Sequence, residues 1–340
     1  MPYAARSAKG EPNLSTEEQD VQINNATARA FTLTSALWFA AATSFGMIGA
    51  GYLIAPDLMA NIEYIHFGRV RPMHVNAVLF GFVTPGLLAA AFYYIPRLLR
   101  TELFSQRLGV FSAIFWNITV AAGMIGISNG HTQGREYAEL PWPVDIMVVI
   151  SFALVVFNIL MTIRRREERV LYVSIWYTTA AVILTSITYC LGNVIWKPDT
   201  GALVGIPDAI LLWFYGHNIF GLLLTPMALG VAYYMLPIAT RSPLYSHTLS
   251  LLGFWSLIIV YTHIGTHHLL EILNRLTKGE GQSEDIGRLE RLSSDIRSGS
   301  LCGLGKTAPN PILTSLRYFR SDYDAHIEEK RCPGRVCRDL

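Results

Sequence analysis

Charge is the first thing in short supply. Only 15% of the 340 residues are Asp, Glu, Lys or Arg, against about a quarter in ordinary soluble domains. Cysteine is scarcer still. Of Cys190, Cys302, Cys332 and Cys337, one lies in an apolar run and three near the C-terminus, which excludes a disulfide framework. Neither sign of charge prevails, the net being +2, and no basic stripe exists, which excludes a nucleic-acid partner. What the chain does have is apolar length. It is 51% apolar with mean hydropathy +0.34, and long apolar runs fill residues 30–268 between polar ends. That pattern reads as an all-α, polytopic membrane helix bundle in a lipid bilayer, with a short soluble helical tail.

Residues 1–29 are polar before the first apolar run, too long for a cleavable signal, and read as a cytoplasmic leader. Seven runs are long enough to span. They begin at Phe31, Val75, Gly109, Val144, Val173, Asp208 and Leu249. Arginine sets their direction. Arg97, Arg100 and Arg107 follow the second run, Arg164, Arg165, Arg166 and Arg169 the fourth, and Arg241 the sixth, whereas the alternate loops hold Arg69, Arg71, Arg135 and Lys197. This places the N-terminus inside and, after seven spans, whatever follows His268 outside.

With that sidedness four histidines from distant segments fall at similar depth. His74 opens the second span, His217 sits nine residues into the sixth, and His267 and His268 close the seventh. Intramembrane ionisable residues are costly and mark functional sites, and neutral imidazole is a common ligand of copper and haem iron. A single packed, hydrogen-bonded histidine is the alternative for His217. Adjacent histidines point about 100° apart on a helix, so His267 and His268 meet one ion only where the backbone departs from a regular helix. His66, His131, His247, His263 and His326 read as solvated or structural.

Four stretches in order, "GRVRPMHVNAVLFGF", "REYAELPWPVDI", "WFYGHNIFGLLLTPMALGVAYYMLP" and "LIIVYTHIGTHHL", resemble the catalytic subunit I of cbb3-type cytochrome c oxidases, a branch of the haem–copper oxidase superfamily. The likeness covers residues 30–269. It implies that His74 is an axial ligand of a low-spin haem b, and that His217, His267 and His268 hold the copper facing a high-spin haem b3. It implies that Tyr261 is the active-site tyrosine cross-linked to His217, that Arg71 pairs with a haem propionate, and that Glu136 helps bind a calcium ion. Thr225, Tyr233, Ser250 and Tyr261 would form a proton path. Ser250 and Tyr261 share a helix face, although serine bonding to its own helix backbone is the commoner use. The resemblance further implies a multi-pass protein of the bacterial inner membrane, working with cytochrome c-type subunits in aerobic respiration. Nitric oxide reductases are the rival in that superfamily. They lack the tyrosine and carry extra glutamates near the metal, whereas Tyr261 is present here and "GHNIFG" has no glutamate.

From about Leu270 the text changes. "SLCGLGKTAPNPILTSLRYFR" and its flanks, over residues 270–337 of a tail counted as 270–340, resemble the C-terminal end of the flavin-binding subunit of NADH-quinone oxidoreductase and related hydrogenase subunits. There Cys302 would be the fourth ligand of a [4Fe–4S] cluster. The C-x-x-C-x-x-C run that supplies the other three is not in this sequence, and one thiolate does not hold a cubane, so no [4Fe–4S] cluster is expected. Nor does a further spanning run follow His268 to supply the family's later haem ligands. The isolated chain is therefore expected to be an incomplete, inactive oxidase subunit, or a non-catalytic chimeric membrane protein. The words "HHLLEILNRL" mark the junction.

Overall fold

The structure is a computed structural model that describes residues 23–57, 59, 61–299, 306, 307, 309–335 and 337. Side chains are described throughout these except at residues 206, 260–267 and 299. Among the described residues no strand occurs, only an isolated bridge between Arg135 and Ala138.

Six helices are long and apolar enough to cross a membrane: α1 Ala26–Ile54, α2 Phe67–Leu98, α3 Gln106–Ser128, α4 Trp142–Arg164, α5 Val173–Gly192 and α6 Pro207–Thr240. The seventh expected span begins α7, His247–Thr277, whose described apolar stretch is His247–Ile259. Among the described residues the tail holds three further bounded helices: α8 Asp285–Gly299, α9 Asn310–Tyr318 and α10 Arg320–Glu328. The protein is thus an all-α, multi-pass membrane bundle.

The second span differs from expectation. Its apolar run starts at Val75, but the helix starts at Phe67. The polar first turns, with Arg69, Arg71 and Pro72, hide the start from a hydropathy reading. Helix N-termini accept polar side chains and a proline where backbone N–H groups have no intrahelical partner. His66 caps this one, its ring nitrogen accepting from Gly68 N–H at 3.4 Å. His74 therefore lies two turns inside α2, not at its end.

α2 runs through the middle of the bundle against α1, α3 and α6, and α5 packs on α4 and α6. The shared core holds Phe31, Tyr94, Trp116, Phe152, Tyr189 and Tyr215. At the α5–α6 crossing a Cβ on Gly192 would lie 2.0 Å from the Tyr215 Cβ, so only glycine lets these two backbones meet. Leu33, Leu37, Phe39 and Met47 line the outside of α1, as a lipid-facing surface requires.

α2 and α6 share a distortion that sequence reading passed over. Each carries a π-helical turn, Ala77–Val83 and Ile219–Leu224, that ends on Thr-Pro. Pro85 and Pro226 have no N–H and their rings crowd the carbonyl four residues back. The helix widens instead, and the N–H groups of Thr84 and Thr225 reach five residues back, to Leu79 and Phe220. In that register the Phe80 carbonyl would be served by residue 85, a proline. Trp116 Nε1–H serves that carbonyl at 2.7 Å, so it is not left without a donor.

The tail has its own apolar cluster, formed by Leu269, Ile272, Leu276, Ile286, Leu289, Leu316 and Ile327. Leu273, Leu276, Ile286, Leu289 and Leu292 recur near helical spacing in the sequence, and all five belong to this cluster or its margin.

Candidate functional site

His74 is the most fully determined of the candidate ligands. Its Nδ1 lies 2.8 Å from the Ala42 carbonyl of α1. A carbonyl only accepts, so Nδ1 carries the hydrogen and Nε2 keeps its lone pair. This is the orientation in which histidines bind metal, with the second nitrogen tied to the backbone. The ring needs Gly46 beneath it. A Cβ there would sit 2.8 Å from His74 Cε1 and 2.9 Å from Nδ1. The chain has thus cleared a slot for one imidazole in one tautomer.

The loop between α3 and α4 closes over the same end of the bundle and ties α2 to α6. Arg71 donates to Glu136 at 2.5 Å. Two residues after His74, the buried Asn76 Nδ2 donates to Glu139 Oε2 at 3.0 Å. Arg135 grips Asp208, at the start of α6, with two hydrogen bonds of 2.8 and 3.0 Å. Tyr215, two residues before His217, donates to the Tyr137 carbonyl at 3.0 Å. Burial pushes the Glu139 carboxyl above the usual carboxylate range, against the opposing hydrogen bond from Asn76. Burial, followed by the neighbouring Glu136, pushes the Tyr137 phenol up as well. Asp145 is fully buried at the head of α4, accepting from Tyr189 at 2.7 Å and Gln133 at 2.9 Å. None of Arg135, Glu139, Asp145 or Asp208 was singled out from sequence as a site residue. The signal was there in the charged text "REYAEL", because charges beside spans need partners.

Arg71 and Glu136, assigned by resemblance to a propionate and to calcium, are joined to each other here. Both are partly exposed, so an anionic group could take the guanidinium without a desolvated charge being left behind.

The expected copper ligands are less closely described. His217 is half-buried on α6, just before the π-helical turn. The side chains of Tyr261 and His267 lie outside the described residues, as does Cys302. His268 is exposed, with Nδ1 3.6 Å from Glu271 Oε2, and borders a cleft between α7 and α8 shared with Arg275 and Arg291.

Of the residues expected in the proton path, Tyr261 has its side chain outside the described residues. Ser250 donates to the Ser246 carbonyl at 2.9 Å, the ordinary use of serine in a membrane helix. Tyr233 stacks on Tyr177 with ring centres 5.6 Å apart, and Thr225 is exposed. A polar contact that the sequence reading missed joins Tyr94 of α2 to Thr178 of α5.

Comparison with known proteins gives two matches. The C-terminal part, residues 260–326, matches the NADH-ubiquinone oxidoreductase-F iron-sulfur binding region. There the chain is 49% identical over 77 residues to the NADP-reducing hydrogenase subunit HndC of Solidesulfovibrio fructosivorans, covering 23% of this chain and 16% of that one. Over the bundle it is 34% identical, across 248 residues, to the cbb3-type cytochrome c oxidase subunit CcoN1 of Stutzerimonas stutzeri, covering 71% of this chain and 52% of that one. It is 35% identical over 246 residues to a cytochrome c oxidase subunit 1 homolog of Agrobacterium tumefaciens, covering 70% and 45%. The chain thus spans about half the length of the oxidase relatives it matches. Residues 26–272, more than half of the chain, match the cytochrome C and quinol oxidase polypeptide I family, and by this match the chain belongs to that family.

Proposed function

We propose that residues 30–269 form the haem–copper region of a cbb3-type oxidase subunit I, and that residues 270–340 are a separate tail joined to it. The family uses haem and copper in general, and the His74 slot is the observation that carries the reading for this chain. In it His74 Nε2 would hold a haem b iron. Arg71 would neutralise a propionate at the mouth of the same helix, and His217, His267 and His268 would hold copper, which requires α7 to depart at His267 and His268 from the continuous helix it forms across them. When bound, such a pair of metals supplies electrons to dioxygen from two sides.

The chain's own residues do the rest. Ala42 holds the His74 ring in its ligand tautomer. The loop carrying Glu136 and Glu139 closes the end of the bundle over α2. Tyr261 would keep a proton at its phenol within reach of the copper ligands. Cytochrome c-type subunits would deliver electrons in the inner membrane, with the N-terminus in the cytoplasm. By the resemblance, later helices supply both the second histidine of the haem that His74 would hold and the histidine of a second haem, and neither is among the nine histidines present. The isolated chain would therefore bind haem b or copper without turning over oxygen.

The deciding experiment is the reduced-minus-oxidised and carbon monoxide difference spectrum of the chain purified in detergent. Held by His74 alone, a haem b is high-spin and binds carbon monoxide, so a carbon monoxide-sensitive haem b signal that disappears in His74→Ala supports the reading. Oxygen uptake by the purified chain would refute the inactivity. A haem signal that survives His74→Ala would remove the axial role.

A further inference from the structure

Three donors that the sequence analysis set aside meet at the end of the tail. His326 on α10, Cys332 and Cys337 each offer a ligand atom, and the three atoms lie within 4.8 Å of one another. The backbone turns back twice to achieve this. Beyond α10, Lys330 takes a left-handed φ of 51° and Arg331 N–H reaches back to the Ala325 carbonyl at 3.2 Å, which returns Cys332 beside the helix. A turn through Pro333 and Gly334 follows, closed by Arg335 N–H on the Cys332 carbonyl at 3.1 Å. Proline suits the second position of such a turn. The turn brings the Cys337 sulfur to 3.4 Å from His326 Nε2.

The imidazole is already set for a ligand. His326 Nδ1 lies 2.6 Å from the Asp322 carbonyl, which fixes the hydrogen on Nδ1 and turns the Nε2 lone pair toward the two sulfurs. Cys332 is only 6% exposed, so its thiol is held inside rather than scattered on the surface. Size decides between uses. A tetrahedral zinc ion, with bonds of about 2.3 Å to sulfur and 2.05 Å to nitrogen, sets donors about 3.5 Å (N to S) and about 3.8 Å (S to S) apart. The 3.4 Å between His326 Nε2 and Cys337 Sγ matches that frame, and the third donor lies within 4.8 Å of both. A thiol–imidazole hydrogen bond would involve Cys337 alone, whereas all three donor atoms converge here. Two thiolates are too few for an iron–sulfur cubane, whereas mixed thiolate and imidazole donors favour zinc over the harder divalent cations.

We propose that His326, Cys332 and Cys337 form a binding site for a thiophilic divalent cation of the zinc type, with the fourth position taken by water or an added donor. Binding displaces the two thiol protons to solvent and pins the segment after α10 to that helix. The reading stands whether or not the bundle binds haem or copper.

The test uses the full chain in detergent, supplied with zinc and desalted. Metal analysis should find about one equivalent of zinc per chain that is lost in Cys332→Ser, Cys337→Ser and His326→Asn and kept in His217→Asn. Cobalt-loaded protein should show thiolate-to-cobalt absorption, which either serine variant abolishes. Should a variant fold poorly, alkylation of the unaltered chain decides. Both thiols should be protected with zinc and modified once a chelator removes it. Zinc content unchanged in the serine variants, equal alkylation with and without chelator, or a Cys332–Cys337 disulfide in protein prepared without oxygen would each overturn the site.

Discussion

A single hydrogen bond to a helix carbonyl chooses the tautomer of His74, and a single missing methyl makes room for its ring. Gly46→Ala would place a Cβ 2.8 Å from Cε1, closer than atoms in contact come, and the ring must leave the slot. The expected result is loss of the haem signal to the level of His74→Ala, with helix content by circular dichroism unchanged. A haem signal of wild-type size in that variant would show that the slot is not used. Glu139 gives a second residue-scale expectation. Its carboxyl is raised by burial, so the folded state holds a proton at pH values where the unfolded chain has released it. Stability from this group is therefore present at low pH and declines as pH rises above the usual carboxylate range. Glu139→Gln keeps an oxygen for Asn76 and removes the titration. Thermal melting of the variant in detergent should show a flatter decline with pH than the parent.

At the scale of elements, the spans were legible because apolar length has no other use, but their ends were not. Hydropathy averages over a window. It therefore missed the polar first turns of α2, and it has no term for a proline that widens a helix rather than breaking it. The Thr-Pro pairs at 84–85 and 225–226 were in plain view. The repeated distortion would have followed from asking which carbonyls those prolines leave unserved. In the tail, helical spacing found the apolar cluster but not its ion pair. Asp285 is fully buried and accepts from Arg275 at 2.5 Å and from Gln282 N–H at 2.9 Å. Arg275→Ala leaves that carboxylate with only the more distant Arg288 as a cationic partner, at 3.9 Å. A cost of about 2 kcal/mol is expected, below the usual range for breaking a buried pair because Arg288 remains. Hydrogen exchange of the α8 amides should speed up accordingly, while exchange in α2 stays as it was.

For the whole molecule, the sites divide by how their residues are brought together. His74 and its neighbours were readable because the helix that carries them is continuous. The tail cluster was not, because His326 and Cys337 are joined by two chain reversals whose residues look ordinary in sequence. Six alternating spans put the loops 99–105, 165–172 and 241–246 at one end of the bundle and 129–141 and 193–205 at the other. Single cysteines introduced at Arg166 and at Thr200, in a chain whose own cysteines are replaced by serine, should react with an impermeant thiol reagent from opposite sides of intact cells. Arg166 should be the inner one. Reaction of both from the same side would break the alternation.

α7 is 31 residues long, about 46 Å at helical rise, against a hydrocarbon layer of about 30 Å. Its first half is packed with Trp176, Tyr177 and Tyr233 through Phe254 and its neighbours, and its last half carries Leu269, Ile272 and Leu276 into the tail. Such a rod is a lever whose short arm is seated in the bundle. From Phe254 to the end of α7 is about 35 Å at helical rise, so a tilt of about 10° at the seat would move the far end by about 6 Å, and a small adjustment among the membrane helices would be magnified in the tail.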